Sequence, residues 1–322
     1  MLPLYERLFP RFRPKRELRP QGSGSGWAAR ISWLGTAGFV IESREATVLV
    51  DPFISRPGLR GIVRPYVPDD EAIARHVVGP LSRPHEYMGP ERHRRIDAIL
   101  CGHSHYDHVA DAPRIAKLTN AKLVGSASTC AWGRAEGLTE SQLVRVPPAG
   151  AVVRFGDIEV RFVPSRHGKV LFGKVPFPGE VSRTPHPPKR IWHYRMGGAF
   201  GLLIRTPGVS IYHNGSADLI DAELDGEHAD VLLACLAGRK GTENYVGRLV
   251  SALSPKLVVP THHDAFFAPL ERGLHLLPGI DLEGFVSEVF TRVPDASVIT
   301  PDYEEPICVP AGDARGSVLV TS

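Results

Sequence analysis

Short apolar runs bounded by glycine, proline and polar residues make up most of the chain after residue 26. Runs of this length that are rich in β-branched residues are typical of strands, whereas apolar residues three or four apart predict amphipathic helices. Strands form hairpin-like groups early and alternate with helices later, in two successive passes. This order predicts an α/β fold, an αββα four-layer sandwich with two packed sheets inside and helices outside. The predicted strands are 30–34, 39–42, 47–50, 96–100, 122–125, 152–155, 158–163, 200–204, 209–213, 231–234 and 256–259, and the predicted helices are 113–119, 127–136, 244–252 and 282–290.

The first 26 residues differ from the rest of the chain. Six basic and two acidic residues lie within 1–20, and residues 21–26 read Gln-Gly-Ser-Gly-Ser-Gly, the composition of a flexible linker. We therefore predict a basic arm with a linker over 1–26 and one domain over 27–322. Because apolar side chains accompany the charge, the arm is interpreted as a segment for peripheral membrane contact or partner docking. The alternative is a solvated tail that packs loosely on the body.

Composition excludes several classes of protein. The apolar fraction of 43% and the charged fraction of 23% are those of a globular chain. The net charge of +3 combines +4 in residues 1–20 with −1 in the rest of the chain, so the positive charge belongs to the arm. The body lacks a basic strip, so no nucleic-acid partner is expected. The longest uninterrupted apolar stretch, 231–237, is far shorter than the roughly 20 residues of a membrane span. Basic residues interrupt the start of the chain, which argues against a secretory signal. The four cysteines are scattered. We therefore expect a cytoplasmic protein with free thiols.

Two long stretches show no clear periodicity. Residues 55–95 are rich in proline and arginine, and residues 168–197 combine five prolines with basic and aromatic side chains. Loops of this length in one domain are usually lids or binding loops, and each stretch adjoins a motif described below. We therefore predict lids near 55–95 and 168–197.

A dense histidine cluster follows the predicted strand 96–100. Residues 101–108 read Cys-Gly-His-Ser-His-Tyr-Asp-His. Imidazole and carboxylate are the ligands of zinc-like ions, and a turn at a strand end can aim them at two neighbouring positions. The cluster predicts a metal site, whereas Cys101 is interpreted as a small buried residue at the end of the strand.

His103-x-His105-x-Asp107-His108 resembles the HxHxDH signature of the metallo-β-lactamase fold. Other motifs of that family appear in the expected order. Residues 48–53, Val-Leu-Val-Asp-Pro-Phe, resemble its second-strand motif, in which Asp51 would hold the ligand histidines in register. His167 after strand 158–163 and His262 after Pro260 match its later histidines, with His263 as the alternative to His262.

The resemblance implies two divalent ions. His103, His105 and His167 would hold the first, and Asp107, His108 and His262 the second. A histidine-rich site favours zinc, with Mn²⁺ or Fe²⁺ as alternatives. The ligand residues expected in these two sites, together with the bridging carboxylate considered next, are His103, His105, Asp107, His108, His167, Asp218 and His262.

One position departs from the family pattern. After strand 209–213 the family usually has Gly-Asp, whose aspartate bridges both ions, but this chain reads Asn214-Gly215-Ser216-Ala217-Asp218. Asp218 is the candidate replacement for that carboxylate, and capping of a following helix is its alternative role. Without a bridging carboxylate, a single-ion site becomes an option.

The resemblance implies a hydrolase in which metal-bound hydroxide attacks an ester, lactone or phosphodiester bond. The compact turn Gly35–Gly38, followed by residues 48–53, resembles the corresponding segment in the branch of the family that contains ascorbate-6-phosphate lactonase and N-acyl-phosphatidylethanolamine phospholipase D. A small anionic substrate is expected because loop 168–197 is basic. The alternatives are a phospholipase D-like enzyme acting on membrane lipid and a non-catalytic metal-binding protein. The candidate catalytic residues are Asp107, His193 and Tyr194, and the basic and aromatic candidates for substrate contact in this loop are Lys169, Lys174, Arg183, His186, Lys189, Arg190, His193, Tyr194 and Arg195.

Overall fold

The strands of the protein form two eight-stranded sheets in a computed structural model. The structure describes residues 8–9, 11–12, 16–17, 27–59, 63–79, 95–170, 173–181, 190–311 and 319–320. The linker predicted over 21–26 lies outside the described residues, as do parts of both predicted lids (60–62, 80–94, 171–172 and 182–189).

Sixteen strands are present in this part of the chain. They are β1 (Arg16–Glu17), β2 (Trp27–Gly35), β3 (Gly38–Glu42), β4 (Thr47–Val50), β5 (Ala98–Leu100), β6 (Lys122–Gly125), β7 (Leu143–Arg145), β8 (Ala151–Phe155), β9 (Ile158–Pro164), β10 (Phe200–Thr206), β11 (Val209–Asn214), β12 (Val231–Cys235), β13 (Leu257–Thr261), β14 (Ser297–Ile299), β15 (Pro306–Pro310) and β16 (Leu319–Val320).

The first sheet has the order β16-β15-β2-β3-β4-β5-β6-β7, and the second has the order β1-β14-β13-β12-β11-β10-β9-β8. In each sheet the hairpins are antiparallel, whereas β4 to β7 and β11 to β14 run parallel. The carboxyl ends of neighbouring parallel strands meet at one edge of their sheet, where α/β folds place their ligands. Residues 51, 101, 215 and 262 all follow such strand ends.

Helices cover the outer face of each sheet. Those beside the first sheet pack Ile115 and Trp132 against Leu49, and those beside the second pack Leu249 and Phe285 in the same way. The helices are α1 (Asp70–Ile73, continued by a π-helix over Ala74–Val78), α2 (Tyr106–Val109), α3 (Ala112–Thr119), α4 (Ala127–Glu136), α5 (Tyr245–Leu253) and α6 (Leu282–Arg292).

The core between the sheets follows the two-residue period of the strands. Ile31, Trp33 and Val48 of the first sheet face Phe162 and Leu202 of the second, and all five are buried. Alternate residues of the same strands point outward under the helices. The αββα sandwich predicted from the sequence is confirmed.

The N-terminal arm touches the body wherever the structure describes it. The Phe9 carbonyl accepts a hydrogen bond from His275, and the Phe9 ring lies 6.0 Å from that of Phe267. The Phe12 N–H donates to the Leu274 carbonyl at 3.0 Å, and β1 pairs with β14. The arm's residues 1–7 lie outside the described part. The described residues of the arm therefore pack on the body, and membrane contact through residues 1–20 stays a prediction.

In the part of the chain that the structure describes, no helix combines the length and the hydropathy that a membrane span requires.

Candidate metal centre

Asp51 and the histidine segment leave the first sheet side by side. Val50 of β4 pairs with Leu100 of β5 in parallel register, so both chains exit at the same edge. Asp51 is buried in a left-handed backbone conformation (φ 41°), and its Oδ1 accepts the Gly102 N–H at 2.8 Å. This bond fixes the start of the segment that carries the histidines.

The first triad consists of His103, His105 and His167, whose ligand atoms lie within 4.8 Å of one another. His103 Nε2 and His105 Nδ1 are 3.0 Å apart. His167 follows β9 and comes from the other sheet, where it forms a β-bridge with Ala217. The triad therefore spans the gap between the two sheets.

The second triad consists of Asp107, His108 and His262, all buried and again within 4.8 Å. Asp107 and His108 lie on the single-turn helix α2, and His262 follows β13. His262 Nε2 is 3.1 Å from Asp107 Oδ2. The ring centroids of His103 and His108 are 3.8 Å apart, so the two triads adjoin each other.

Hydrogen-bond partners orient the imidazole rings from behind. His105 Nε2 donates to the Pro176 carbonyl at 2.9 Å, and His167 Nδ1 donates to the Gly168 carbonyl at 2.7 Å. His108 Nδ1 lies 2.9 Å from Asp51 Oδ2. In the rings of His105 and His167 the other nitrogen then carries a lone pair for a ligand, as in metal-binding histidines.

Burial keeps the first triad neutral. Burial and the neighbouring histidines lower the pKa of His103 well below its usual range, and burial lowers the pKa of His105 to about 3 and that of His167 to about 4. Burial also acts to lower the pKa of His108, but Asp51 and Asp107 outweigh it and raise that pKa. At neutral pH the first triad therefore offers unprotonated nitrogens.

Asp107 is the anionic member of the two triads. Burial acts to raise the pKa of its carboxyl group, but the nearby His108 and His262 outweigh this and hold the pKa below its usual value. The donor set is thus five imidazoles and one carboxylate, all of which are ligand types that zinc, iron and manganese accept. The residues present fit divalent ions.

Asp218 lies outside both triads. Its Oδ1 accepts the Leu219 N–H at 2.8 Å and lies 3.4 Å from Arg248 Nη1, on helix α5. Ser216 donates its hydroxyl hydrogen to the Arg166 carbonyl at 2.9 Å. Among the described residues, the structure therefore brings neither Ser216 nor Asp218 into a triad as a bridging carboxylate. Ser216, at the position where the family has aspartate, instead holds the loop that carries His167.

Neither proton-donor candidate is a member of a triad. His193 is exposed, and its ring is 6.0 Å from that of Trp192. Tyr194 is buried in the outer core of the first sheet, 4.8 Å from the ring of Trp132. Tyr194 therefore contributes to packing in this structure.

His262, rather than His263, joins the triad. The ring of His263 stacks on Trp33 at 4.8 Å and belongs to the interior. Cys101 is buried, outside both triads, and burial raises the pKa of its thiol well above the usual range.

Sequence reasoning missed a buried ion pair behind His262. Arg56 Nη2 lies 2.7 Å from Asp264 Oδ2, and both side chains are almost fully buried. Tyr303 donates to the same oxygen at 2.9 Å. Asp264 Oδ1 accepts the Thr36 N–H, and the Thr36 carbonyl accepts the His262 N–H, both at 2.8 Å. Asp264 could have been suspected because it follows the histidine pair, but no local signal marks Arg56, 208 positions away.

His213 was also missed as part of the centre. It lies one residue before the end of β11 and is fully buried, with Nε2 2.9 Å from the Ala37 carbonyl and Nδ1 4.0 Å from Asp51 Oδ2. Burial lowers its pKa to about 4. Asp51 therefore lies between two histidines from opposite sheets.

Comparison with known proteins agrees with this architecture. The family model described as "Beta-lactamase superfamily domain" matches residues 30–262. A "UPF0173 metal-dependent hydrolase" of Pyrobaculum calidifontis is 26% identical over 242 residues, which is 74% of this chain and 85% of the relative. A protein of the same description from Polynucleobacter asymbioticus is 27% identical over 259 residues, 78% of this chain and 79% of the relative.

Solved structures share the fold. Igni18, a metallo hydrolase of Ignicoccus hospitalis, superposes with a TM-score of 0.50 at 17% identity and covers 91% of this chain and 98% of its own. CmlA, a diiron β-hydroxylase of Streptomyces venezuelae, gives a TM-score of 0.51 at 16% identity over 93% of this chain and 55% of its own. Because the family model spans well over half of the sequence, the chain belongs to the β-lactamase superfamily, with the metallo-β-lactamase fold predicted from its histidine motif.

Proposed function

We propose that this protein is a metal-dependent hydrolase that binds two divalent ions, with zinc as the preferred metal. It cleaves an ester, lactone or phosphodiester bond of a small anionic substrate. The observation that carries the proposal is the pair of adjoining triads, each with three ligand atoms within 4.8 Å. The descriptions of the curated relatives support the hydrolytic class.

The protein's own residues have separable tasks in this proposal. His103, His105 and His167 would hold one ion, and Asp107, His108 and His262 the other. When bound, the ions supply activation of water near neutral pH and polarisation of the substrate oxygen. Asp107 is kept ionised by its histidine neighbours, which suits a ligand rather than a proton donor. Asp51 holds His108 and the Gly102 amide in place.

The basic loop supports an anionic substrate. Its segment 173–181 reaches His105 through the Pro176 carbonyl, so the loop borders the first triad. Exposed cations on the described parts of this loop can form charge-assisted hydrogen bonds with a carboxylate or phosphate. These residues are Lys169, Lys174, Arg190 and Arg195, whereas Arg183, His186 and Lys189 lie outside the described residues.

The first test is metal stoichiometry by mass spectrometry on protein purified without added metal or chelator. Two ions per chain, falling in His105→Ala, are expected, with His228→Ala as a matched exposed-histidine control that keeps both ions. One ion or fewer in the native protein would overturn the dinuclear proposal.

The second test is turnover on a panel of esters, lactones and phosphodiesters. Hydrolysis that disappears in His105→Ala would support the proposal. If the metal-loaded protein turned over none of them, the non-catalytic reading would replace it. The observation that supports this alternative is the lack of a bridging carboxylate among the described residues.

A further inference from the structure

The acceptor that orients His105 comes from a distant and unusually stiff piece of chain. Pro176 and Pro178 flank Phe177, and both prolines have a fixed φ. Phe177 itself lies in the left-handed region at φ 38°, which bulky residues rarely adopt. The Pro176 carbonyl that accepts from His105 Nε2 belongs to the peptide bond entering this residue. Its direction is thus set by an uncommon backbone conformation.

This turn is fastened to the histidine segment by a second route. The Met196 N–H donates to the Phe177 carbonyl at 3.0 Å, and the Met196 carbonyl accepts from the Ser104 N–H at 2.8 Å. The Gly197 N–H donates to the Gly179 carbonyl at 2.9 Å. Ser104 lies between His103 and His105 in the sequence. The turn is therefore connected to the histidine segment by hydrogen bonds at two places, the ring of His105 and, through Met196, the backbone of Ser104.

The arrangement at His167 provides an internal comparison. Its Nδ1 donates to the carbonyl of Gly168, the next residue, so its orientation is local. His105, in contrast, depends on a residue 71 positions away. If the turn moved, the acceptor for His105 would move with it, whereas that for His167 would stay.

We propose that the Pro176–Phe177 turn is the positioning element that fixes the tautomer of His105, with the proton on Nε2 and the Nδ1 lone pair aimed into the first triad. Phe177 supplies the left-handed backbone conformation, and its ring lies roughly perpendicular to that of His105 with the centroids 6.4 Å apart. The metal-binding consequence rests on the proposed function, but the tautomer itself does not.

The experiment reads histidine tautomers by long-range ¹H–¹⁵N correlation NMR in the metal-free protein. In the native chain His105 is expected as the Nε2–H form and His167 as the Nδ1–H form. A native His105 with its proton on Nδ1 would overturn the proposal, and this measurement needs no variant to fold.

Two substitutions at one position then separate backbone from ring. Phe177→Asn removes the ring but tolerates a left-handed conformation, whereas Phe177→Val strongly disfavours it. We expect Asn to keep the His105 tautomer and the Zn²⁺ affinity. Val should mix the tautomers of His105 alone and weaken Zn²⁺ binding about 10- to 100-fold, the usual effect of losing a partner of a metal-binding histidine.

The outcomes that would refute this role are specific. A Val variant with native tautomer and native Zn²⁺ affinity would show that the turn does not position His105. A change in His167 equal to that in His105 would indicate general loosening instead. A native protein with the expected tautomers but no Zn²⁺ binding would refute the proposed function and leave the positioning role intact.

Discussion

The two triads are oriented by different physical means. In the first, the described partners of His105 and His167 are neutral backbone carbonyls, both contributed by the loop that begins after β9. In the second, a buried carboxylate, Asp51, lies behind His108, and the buried Asp264–Arg56 pair secures the turn that carries His262. The first therefore depends on loop conformation, and the second on buried charge that is costly to leave unpaired.

The largest expected effect comes from breaking the charge pair behind the second triad. In Arg56→Met, Asp264 loses its cation while remaining buried, which typically costs about 3–5 kcal/mol of unfolding free energy. Urea unfolding would measure the loss. Arg75→Met is the matched control, because Arg75 and Glu271 are about half exposed and such pairs contribute roughly 0–1 kcal/mol. A loss in Arg56→Met no greater than that in the control would contradict the role assigned to the buried pair.

A second substitution tests whether the two triads are separately supported. Asp51→Ala removes the partner of His108, so the affinity for the ion of the second triad should fall about 10- to 100-fold. The first ion should weaken less, because its ligand segment loses only the bond to the Gly102 amide. Isothermal titration with Zn²⁺ would resolve the two steps. Asp230→Ala is a suitable control, since Asp230 binds Ser210 at the amino end of β12. Equal weakening of both ions would show that Asp51 supports the centre as one unit.

The response to pH should have opposite signs in the two triads. The pKa of His105 is lowered from 6.5 to about 3 in the fold, so its contribution to stability is present above about pH 6.5 and is lost as the pH falls toward 3. The pKa of His108 is raised, so its contribution is present below about pH 6.5 and is lost as the pH rises through the folded value.

Unfolding the metal-free protein in urea at about pH 7.5 and about pH 5 would test this difference. His105→Gln should shrink the stability lost on acidification by on the order of 2 kcal/mol, because one pKa unit corresponds to about 1.4 kcal/mol. His108→Gln should enlarge that loss. If both substitutions changed the stability lost on acidification in the same direction, the two triads would not differ in the sign of their response to pH.

The sequence predicted best what is local. His103, His105, Asp107 and His108 lie within six consecutive residues at the end of a buried strand, so a metal cluster followed from spacing alone. The sandwich followed from strand periodicity and order. The sequence could not show which neighbours a side chain contacts when those neighbours come from distant elements. Tyr194 is an example, because its hydroxyl made it a candidate proton donor and its ring packs in the outer core.

Partners far apart in sequence explain the other omissions. Arg56 lies in a stretch that shows no periodicity, and only the folded chain places it beside Asp264. The Pro176 carbonyl carries no side-chain signal at all, since it is a backbone group in a proline-rich loop. Backbone acceptors and long-range ion pairs are therefore the part of this centre that sequence patterns could not supply.

Substitution of Asp218 should have the smallest effect on metal content and stability, because this residue lies outside the first triad. Its carboxylate is bound to the Leu219 amide and lies beside Arg248, both away from the ligand atoms. Asp218→Ala should therefore leave the ion count unchanged and cost about 1 kcal/mol or less of stability, because the pair with Arg248 is partly exposed. Metal analysis beside the native protein measures the first, and urea unfolding the second. Loss of an ion would mean that the carboxylate swings into the centre when ions bind, and the loop of Ser216 and Asp218 would then belong to the metal site rather than to its support.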